Sequence, residues 1–379
     1  MKIRYFDHAA TTAVREEVLK EMLPYFSICY GNPSSLYSIG RKAKAGMVQA
    51  RCRVALAIGA KEKEIYFTGC GSESDNLAIK GFCKANREKG NHIITTKIEH
   101  PAVLHTCQAL EKEGYEVTYL GVNADGEISL EELERAIKKE TLLISVMFAN
   151  NEIGTIEPIK EIGRIAKRHH ICFHTDAVQA VGNVAINVEE LGIQMLSMAA
   201  HKFYGPKGVG ALYIKEGIKV DKLQDGGHQE RDKRAGTENV AGIVGTGKAI
   251  ELITEEWEGY NQKLKELRDY YLEQIQKRIP DCKINGGREK RLAGNANVSF
   301  LGLDGAELLL KLDEKGICAS SGSACSSGSS LPSHVLVAIG LPKEEAFGAL
   351  RISFGRENTK EDVDYLLQSL EEVVKELRG

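Results

Sequence analysis

The sequence predicts an α/β protein: a larger domain built on a mostly parallel sheet, with a smaller α+β domain after it. Three observations predict this. Between residues 64 and 176, apolar runs of strand length alternate with longer segments of helical periodicity, the rhythm of a sheet covered by helices on both sides. Residues 142–148 are almost continuously apolar, as a strand buried on both faces requires. After about Val240 the rhythm gives way to a long charged helical stretch and a few short strands. A chain of 379 residues is also too long for one compact core.

Taken in order, 64–68 reads as a strand and 74–84 as a helix, then 92–96 as a strand and 101–112 as a helix. Residues 115–120 are strand-like. Ser129, before Leu130-Glu131-Glu132, fits an N-cap with acids in the first helical turn. Pro158 stands where the helix 159–168 can start, and 171–175 is the strand that ends near Asp176. Beyond the larger domain, 247–278 reads as one long helical stretch, 296–300 and 350–354 as strands, and 359–377 as an amphipathic helix. The expected division is an arm over 1–15 packed on the small domain, a large domain over 16–255, and a small domain over 256–379 that carries a mobile loop at about 318–332.

Composition excludes several classes. Formal net charge is −3 and the charged fraction of 27% is well mixed, so no nucleic acid or membrane partner is expected. The first residues lack the apolar core of a signal peptide, and no run approaches the roughly 20 residues of a membrane span. The expected location is cytoplasmic. The nine cysteines are scattered without a Cys-x-x-Cys pair, which gives no support to a zinc or dithiol site.

The chemistry concentrates on strand ends. Lys202 follows the apolar run 193–200, and Asp176 closes another. A lysine amine for a Schiff base and a carboxylate for a pyridinium nitrogen are what pyridoxal 5'-phosphate (PLP) needs. Thr68-Gly69-Cys70-Gly71-Ser72-Glu73-Ser74 follows a strand and opens a helix, so its backbone N–H groups suit a phosphate. It lacks the third glycine of a dinucleotide fingerprint. Gly242 to Lys248 resembles a P-loop, but Ala249 stands where a magnesium-binding hydroxyl belongs and no strand precedes it. His100, just past the strand 92–96, could stack on a flat ring and move protons. His169, His170 and His174 lack matching carboxylates, and core or surface roles suit them better than a metal. Residues 320–330 contain only Ser, Gly, Ala and one cysteine, Cys325. Such a segment packs no core, and a thiol at its centre reads as a nucleophile on a flexible arm.

In the order Tyr5-Phe6-Asp7-His8-Ala9-Ala10-Thr11-Thr12, Gly31-Asn32-Pro33-Ser34-Ser35, Glu99-His100-Pro101, Asn150-Asn151-Glu152-Ile153-Gly154, Asp176-Ala177-Val178-Gln179, His201-Lys202, Arg234-Ala235-Gly236-Thr237-Glu238-Asn239 and Ser321-Gly322-Ser323-Ala324-Cys325, the chain resembles the cysteine desulfurases of the NifS/IscS kind. These are fold-type-I PLP enzymes, and the likeness covers essentially the whole length. The resemblance implies that Lys202 holds PLP and later acts as base at the substrate α-carbon, and that Asp176 pairs with the pyridinium nitrogen. It implies that Asn151 and Gln179 bond the ring 3-oxygen, that His100 stacks on the ring and shuttles protons, and that Gly71, Ser72 and His201 hold the phosphate. By the same resemblance Thr237 reaches the phosphate of a partner subunit in a homodimer. Arg351 clamps the substrate carboxylate with Asn32 nearby. Cys325 takes sulfur from L-cysteine as a persulfide, leaving L-alanine, and passes it to an iron–sulfur scaffold or another acceptor protein.

Six residues, at 37, 69–72 and 199, depart from the family pattern. Ala199 replaces the usual Ser or Thr, Ser72 the usual Thr, Tyr37 a common His, and Gly69-Cys70-Gly71 the usual Ser-Gly-Ala. The expected consequence is a slightly weaker phosphate grip. Another fold-type-I enzyme, such as an aminotransferase or a selenocysteine lyase, is the near alternative, and Cys325 separates them because an aminotransferase needs no nucleophilic thiol. A non-catalytic scaffold is the third reading, disfavoured by the presence of Lys202 and Cys325.

Overall fold

The computed structural model describes residues 2–321 and 331–379. A short strand, β1 (Arg4–Tyr5), opens the chain. The strands β2 (Ile65–Thr68), β3 (His92–Thr96), β4 (Glu116–Leu120), β5 (Thr141–Ser145), β6 (Cys172–Asp176), β7 (Met195–Ala199) and β8 (Gly210–Ile214) then form one sheet in the order β2-β8-β7-β6-β5-β3-β4. From β7 through β4 every pairing is parallel. β8 runs antiparallel to both its neighbours, β2 and β7.

Every residue of β3, β5, β6, β7 and β8 is buried, which is why these segments read as apolar runs rather than alternating ones. The two-residue period still sorts their side chains. Ile93, Leu143, Cys172 and Met195 pack on one side of the sheet with Phe82 and Val103. Ile94, Ile144, Phe173 and Leu196 pack on the other with Val54, Ile162 and Ile250. The same period puts His174 and Asp176 on the side of Cys172.

Two readings of helices need correction. The first helix after β2 begins at Gly71, not Ser74, because Cys70 adopts an extended N-cap conformation there, and its Sγ accepts from Glu73 N at 3.4 Å. The stretch 247–278 is two helices, Val240–Glu255 and Trp257–Arg278. At the break between them, both oxygens of Glu256 take the guanidinium of Arg15 at 2.8 Å. The P-loop lookalike lies inside the first of these helices. Its Gly247 exists for packing: a Cβ there would sit 2.4 Å from the Ala50 Cα of the helix Ser38–Ala57.

Beyond these helices, β9 (Cys282–Ile284), β10 (Asn295–Phe300), β11 (Ile317–Cys318), β12 (Ser320–Ser321) and β13 (Ala349–Ser353) complete the strands described. β12, β13, β10 and β9 form an antiparallel sheet in that order, and β11 pairs in parallel with β1. The helices Trp257–Arg278 and Lys360–Arg378 cover this sheet, and Phe6 is buried in the same cluster with Tyr271, Phe300 and Phe354. Among the described residues, no helix is long and apolar enough to cross a membrane.

One buried acid links the fold to pH. Glu157 accepts from Ile128 N through Oε2, while its Oε1 has no partner among the described residues. Burial pushes its carboxyl up to about 8 from an ordinary 4.5. The folded state therefore keeps a proton that the unfolded state sheds near 4.5, so this contribution is complete below that pH and is lost as pH rises through 8. Between pH 6 and 9 the melting temperature of the wild type should fall a few degrees further than that of Glu157→Gln, by differential scanning calorimetry (order of magnitude). Equal pH slopes would refute it.

Candidate active site

The strand ends that share one edge of the large sheet build a cavity of about 230 Å³. After β2, Gly71 and Ser72 open a helix, where N–H groups have no intrahelical acceptor and suit an anion. Gly71 is needed for the fit, since a Cβ there would lie 2.8 Å from Val178 Cγ2. After β3, His100 is the N-cap of the helix Pro101–Lys112, with Pro101 locking the first turn. Its Nδ1 accepts from Ala102 N at 3.1 Å, which assigns the ring proton to Nε2. Burial lowers the pKa of this imidazole, the charge on Asp176 raises it and that on Lys202 lowers it, so the neutral ring prevails at pH 7.

Asp176 ends β6 and lines the cavity, with Oδ1 accepting from Val178 N at 2.9 Å. Burial raises its pKa, while His100, the Val178 N–H and Lys202 pull it back toward ionisation. Behind it lies a polar layer on the same side of the sheet. His174 Nδ1 meets Ser145 Oγ at 2.9 Å and its Nε2 meets Ser197 Oγ at 3.0 Å. Burial pushes His174 down to about 3. Asp75 lies 3.7 Å from His174 Nε2 through an Oδ1 that has no hydrogen-bond partner among the described residues, and burial together with the Asp176 charge raises its pKa. Glu99 is raised by burial too, although its Oε1 accepts from Met147 N and Thr96 Oγ1.

Lys202 closes a tight turn after β7. Its Nζ donates to Ala9 O at 2.6 Å and to Ala10 O at 2.8 Å. His201 Nδ1 meets Thr11 Oγ1 at 3.1 Å, and burial, with Lys202 adding to it, lowers this imidazole to about 4. Gln179 donates to Ala9 O at 3.0 Å. From the smaller sheet, Arg351 reaches the same cavity, where it binds Asn151 O at 3.1 Å and Asp7 Oδ1 at 2.7 Å.

Lys202, Asp176, His100, Asn151, Gln179, Gly71, Ser72, His201 and Arg351 all line this cavity, with Ala199 beside them. Two other sequence candidates do not line it. Thr237 borders a separate cavity of about 140 Å³. Asn32 is exposed, and its Oδ1 is taken by Ser34 N at 2.9 Å in a local turn. Cys325 lies outside the described residues. His169 and His170 are exposed and His174 serves the buried layer; among the described residues, no group of His, Cys, Asp or Glu could hold a metal ion.

The aminotransferase class-V family matches residues 4–366. A cysteine desulfurase IscS from Clostridium botulinum is 58% identical over 376 residues, covering 99% of this chain and 95% of that protein. The chain belongs to the class-V aminotransferases, among their cysteine desulfurases. A solved NifS-like protein superposes with a TM-score of 0.94 at 39% identity, covering 99% of this chain and all of that one (100%). A structure described as SspA in complex with cysteine gives a TM-score of 0.84 at 39% identity, covering 94% of this chain and 100% of that one. The architecture is accordingly the fold-type-I one.

Sequence reasoning gave no role to Asp7, Asp75 or the carbonyls of Ala9 and Ala10. Asp7 and Ala9 sit inside a quoted motif, but their partners are Arg351, Gln179 and Lys202, far along the chain. Asp75 follows the phosphate-type loop closely, and a carboxylate two residues after Glu73 was the available signal.

The N-cap role of His100 can be separated from its chemistry. His100→Ala should lose about 1 kcal/mol of stability in a denaturant titration, whereas His100→Asn keeps a capping oxygen and should stay near wild type. Equal losses would show that the cap contributes nothing.

Proposed function

We propose that this chain converts L-cysteine into L-alanine with PLP as cofactor and passes the sulfur to Cys325 as a persulfide. The observation that carries the reading is the convergence of Lys202, Asp176 and His100 on one cavity that opens at the N-terminal turn of a helix. The donor set fits the group. An amine, a buried carboxyl, an imidazole with Nε2–H and a glycine-formed anion cradle are the four things a phosphorylated pyridinium aldehyde needs. When bound, PLP supplies an electron sink for the substrate α-carbon.

The residues divide the work. Gly71, Ser72 and His201 hold the phosphate, Asp176 holds the proton on the ring nitrogen, and Asn151 and Gln179 orient the ring oxygen. Arg351 fixes the substrate carboxylate. Lys202 Nζ takes the proton from the α-carbon, and His100 moves protons at the substrate. Cys325 then forms an S–S bond with the substrate sulfur as the Cβ–S bond breaks. The bonding pair stays with the carbon skeleton, which takes one proton at Cβ, regains one at the α-carbon from Lys202, and leaves as L-alanine. The sulfur goes on to an acceptor protein for iron–sulfur cluster assembly or another sulfur-containing product.

A homodimer suits this reading. Leu23, Phe26, Ile28, Tyr30 and Leu36 are all exposed along one short segment, which is more apolar surface than a lone subunit ordinarily leaves in water. In such a dimer, Thr237 is the residue that the family resemblance assigns to the phosphate of the other subunit. The chain divides functionally into a large cofactor domain over 16–255 and a small domain over 256–379, with the arm over 1–15 joining them.

Intact mass of PLP-loaded protein after L-cysteine, without reductant, should rise by one sulfur that maps to Cys325, with alanine released. No added sulfur would point to a different PLP reaction, and full desulfuration activity in Cys325→Ala would refute the persulfide mechanism. Ala199 is buried against the cavity where the family usually has a hydroxyl. Ala199→Ser should tighten PLP roughly 2- to 10-fold in a titration of apoprotein; unchanged affinity would refute the weakened grip.

A further inference from the structure

The arginine that meets the substrate carboxylate does not face the cavity as a free cation. Its Nη2 is 2.7 Å from Asp7 Oδ1, and its Nη1 donates to Asn151 O at 3.1 Å. The pair is largely sheltered, with side-chain exposures of 5% for Arg351 and 19% for Asp7. Asp7 is itself fixed: its backbone bridges to Ser353 of β13, and Phe6 beside it is buried in the smaller core. Arg351 is held on the same strand and by the Asn151 carbonyl, so its aim does not depend on Asp7 alone. The other carboxyl that feels Arg351 is Glu152, whose Oε2 is taken by Ser333 Oγ at 2.5 Å; burial keeps it up at about 7. Across the cavity stand Lys202, His100, Asp75 and Asp176.

We propose that Asp7 is a specificity-determining residue: by balancing Arg351 it leaves that end of the cavity without surplus positive charge, so the site takes amino acids with one carboxylate and disfavours those with two. A guanidinium has five N–H donors, and two are used by Asp7 and Asn151, so the substrate carboxylate binds the remaining Nη hydrogens beside a like charge. That like charge weakens every anion, and a second carboxylate is weakened most because the charge of Arg351 is already balanced by Asp7 and shared with the first. The inference rests on the reading of Arg351 given above.

The test is steady-state kinetics of the PLP-loaded enzyme with L-cysteine, and inhibition by L-aspartate and L-alanine. Asp7→Asn should lower KM for L-cysteine roughly tenfold with kcat little changed, and should tighten L-aspartate more than L-alanine. Asp7→Glu, which restores the charge, should return both toward wild type. A higher KM in Asp7→Asn would mean that Asp7 serves to aim Arg351, and an unchanged KM or an unchanged aspartate-to-alanine ratio would mean that it has no part in selection; each overturns the inference. Arg351→Lys keeps the two failures apart. If it raises KM while Asp7→Asn has no effect, only this inference falls; if it leaves KM unchanged, the carboxylate-clamp reading falls first.

Discussion

The contact between the Lys202 amine and the carbonyls of Ala9 and Ala10 holds the site together. It fixes the end of β7 against residues from the start of the chain. Thr12 extends the seam: its N–H and hydroxyl both donate to His201 O, and its Oγ1 accepts from Tyr204 N at 2.8 Å. These bonds hold Tyr204 in a left-handed backbone conformation, φ 65°, which costs about 1–2 kcal/mol for a residue with a side chain. The strain shapes the turn that presents the lysine. The same segment continues to Asp7 and so reaches Arg351 on the other sheet. Cofactor and substrate determinants are thus set by one short strap rather than by two independent domains.

A second constraint is electrical. Asp75 and Asp176 line the cavity and Glu99 is buried next to His100, and a dry interior does not hold three uncompensated negative charges. The surroundings sort them. Asp75 and Glu99 are driven upward by burial, and His174 behind them stays neutral between two serine hydroxyls. Asp176 alone has His100, the Val178 N–H and Lys202 all favouring its anion. The anion is therefore directed to Asp176, the carboxyl proposed above to meet a pyridinium nitrogen. The neutral layer beneath it places His174 of β6 between Ser145 of β5 and Ser197 of β7.

The large sheet was legible because complete burial leaves continuous apolar runs, and because Lys202, Asp176 and His100 fall just where those runs stop. The reversed direction of β8 was not, since residues 210–214 have the same apolar composition whichever way the strand points. The break at Glu256 was hidden for a related reason: helical periodicity continues on both sides, and the salt bridge that holds it comes from Arg15. The site residues from single loops could be found from their own neighbours. The Asp7–Arg351 pair could not, because neither residue's local sequence mentions the other. Asn32 and Thr237 could be named from a motif, yet each is placed in one subunit away from the main cavity.

The strap also bears on the order of assembly. Residues synthesised early find partners synthesised late: Arg4 and Tyr5 pair with Ile317 and Cys318, and Asp7 with Ser353 and Arg351. Until the last strand of the smaller sheet exists, half of the strap has nothing to bind, and the carbonyls meant for Lys202 are not held in place. Contacts of such long sequence separation form late, after loop closure has been met by other pairings. A nascent chain can complete its large sheet early and still have no working site. Completion of the site is therefore tied to formation of β13, the strand that carries Arg351 and Ser353.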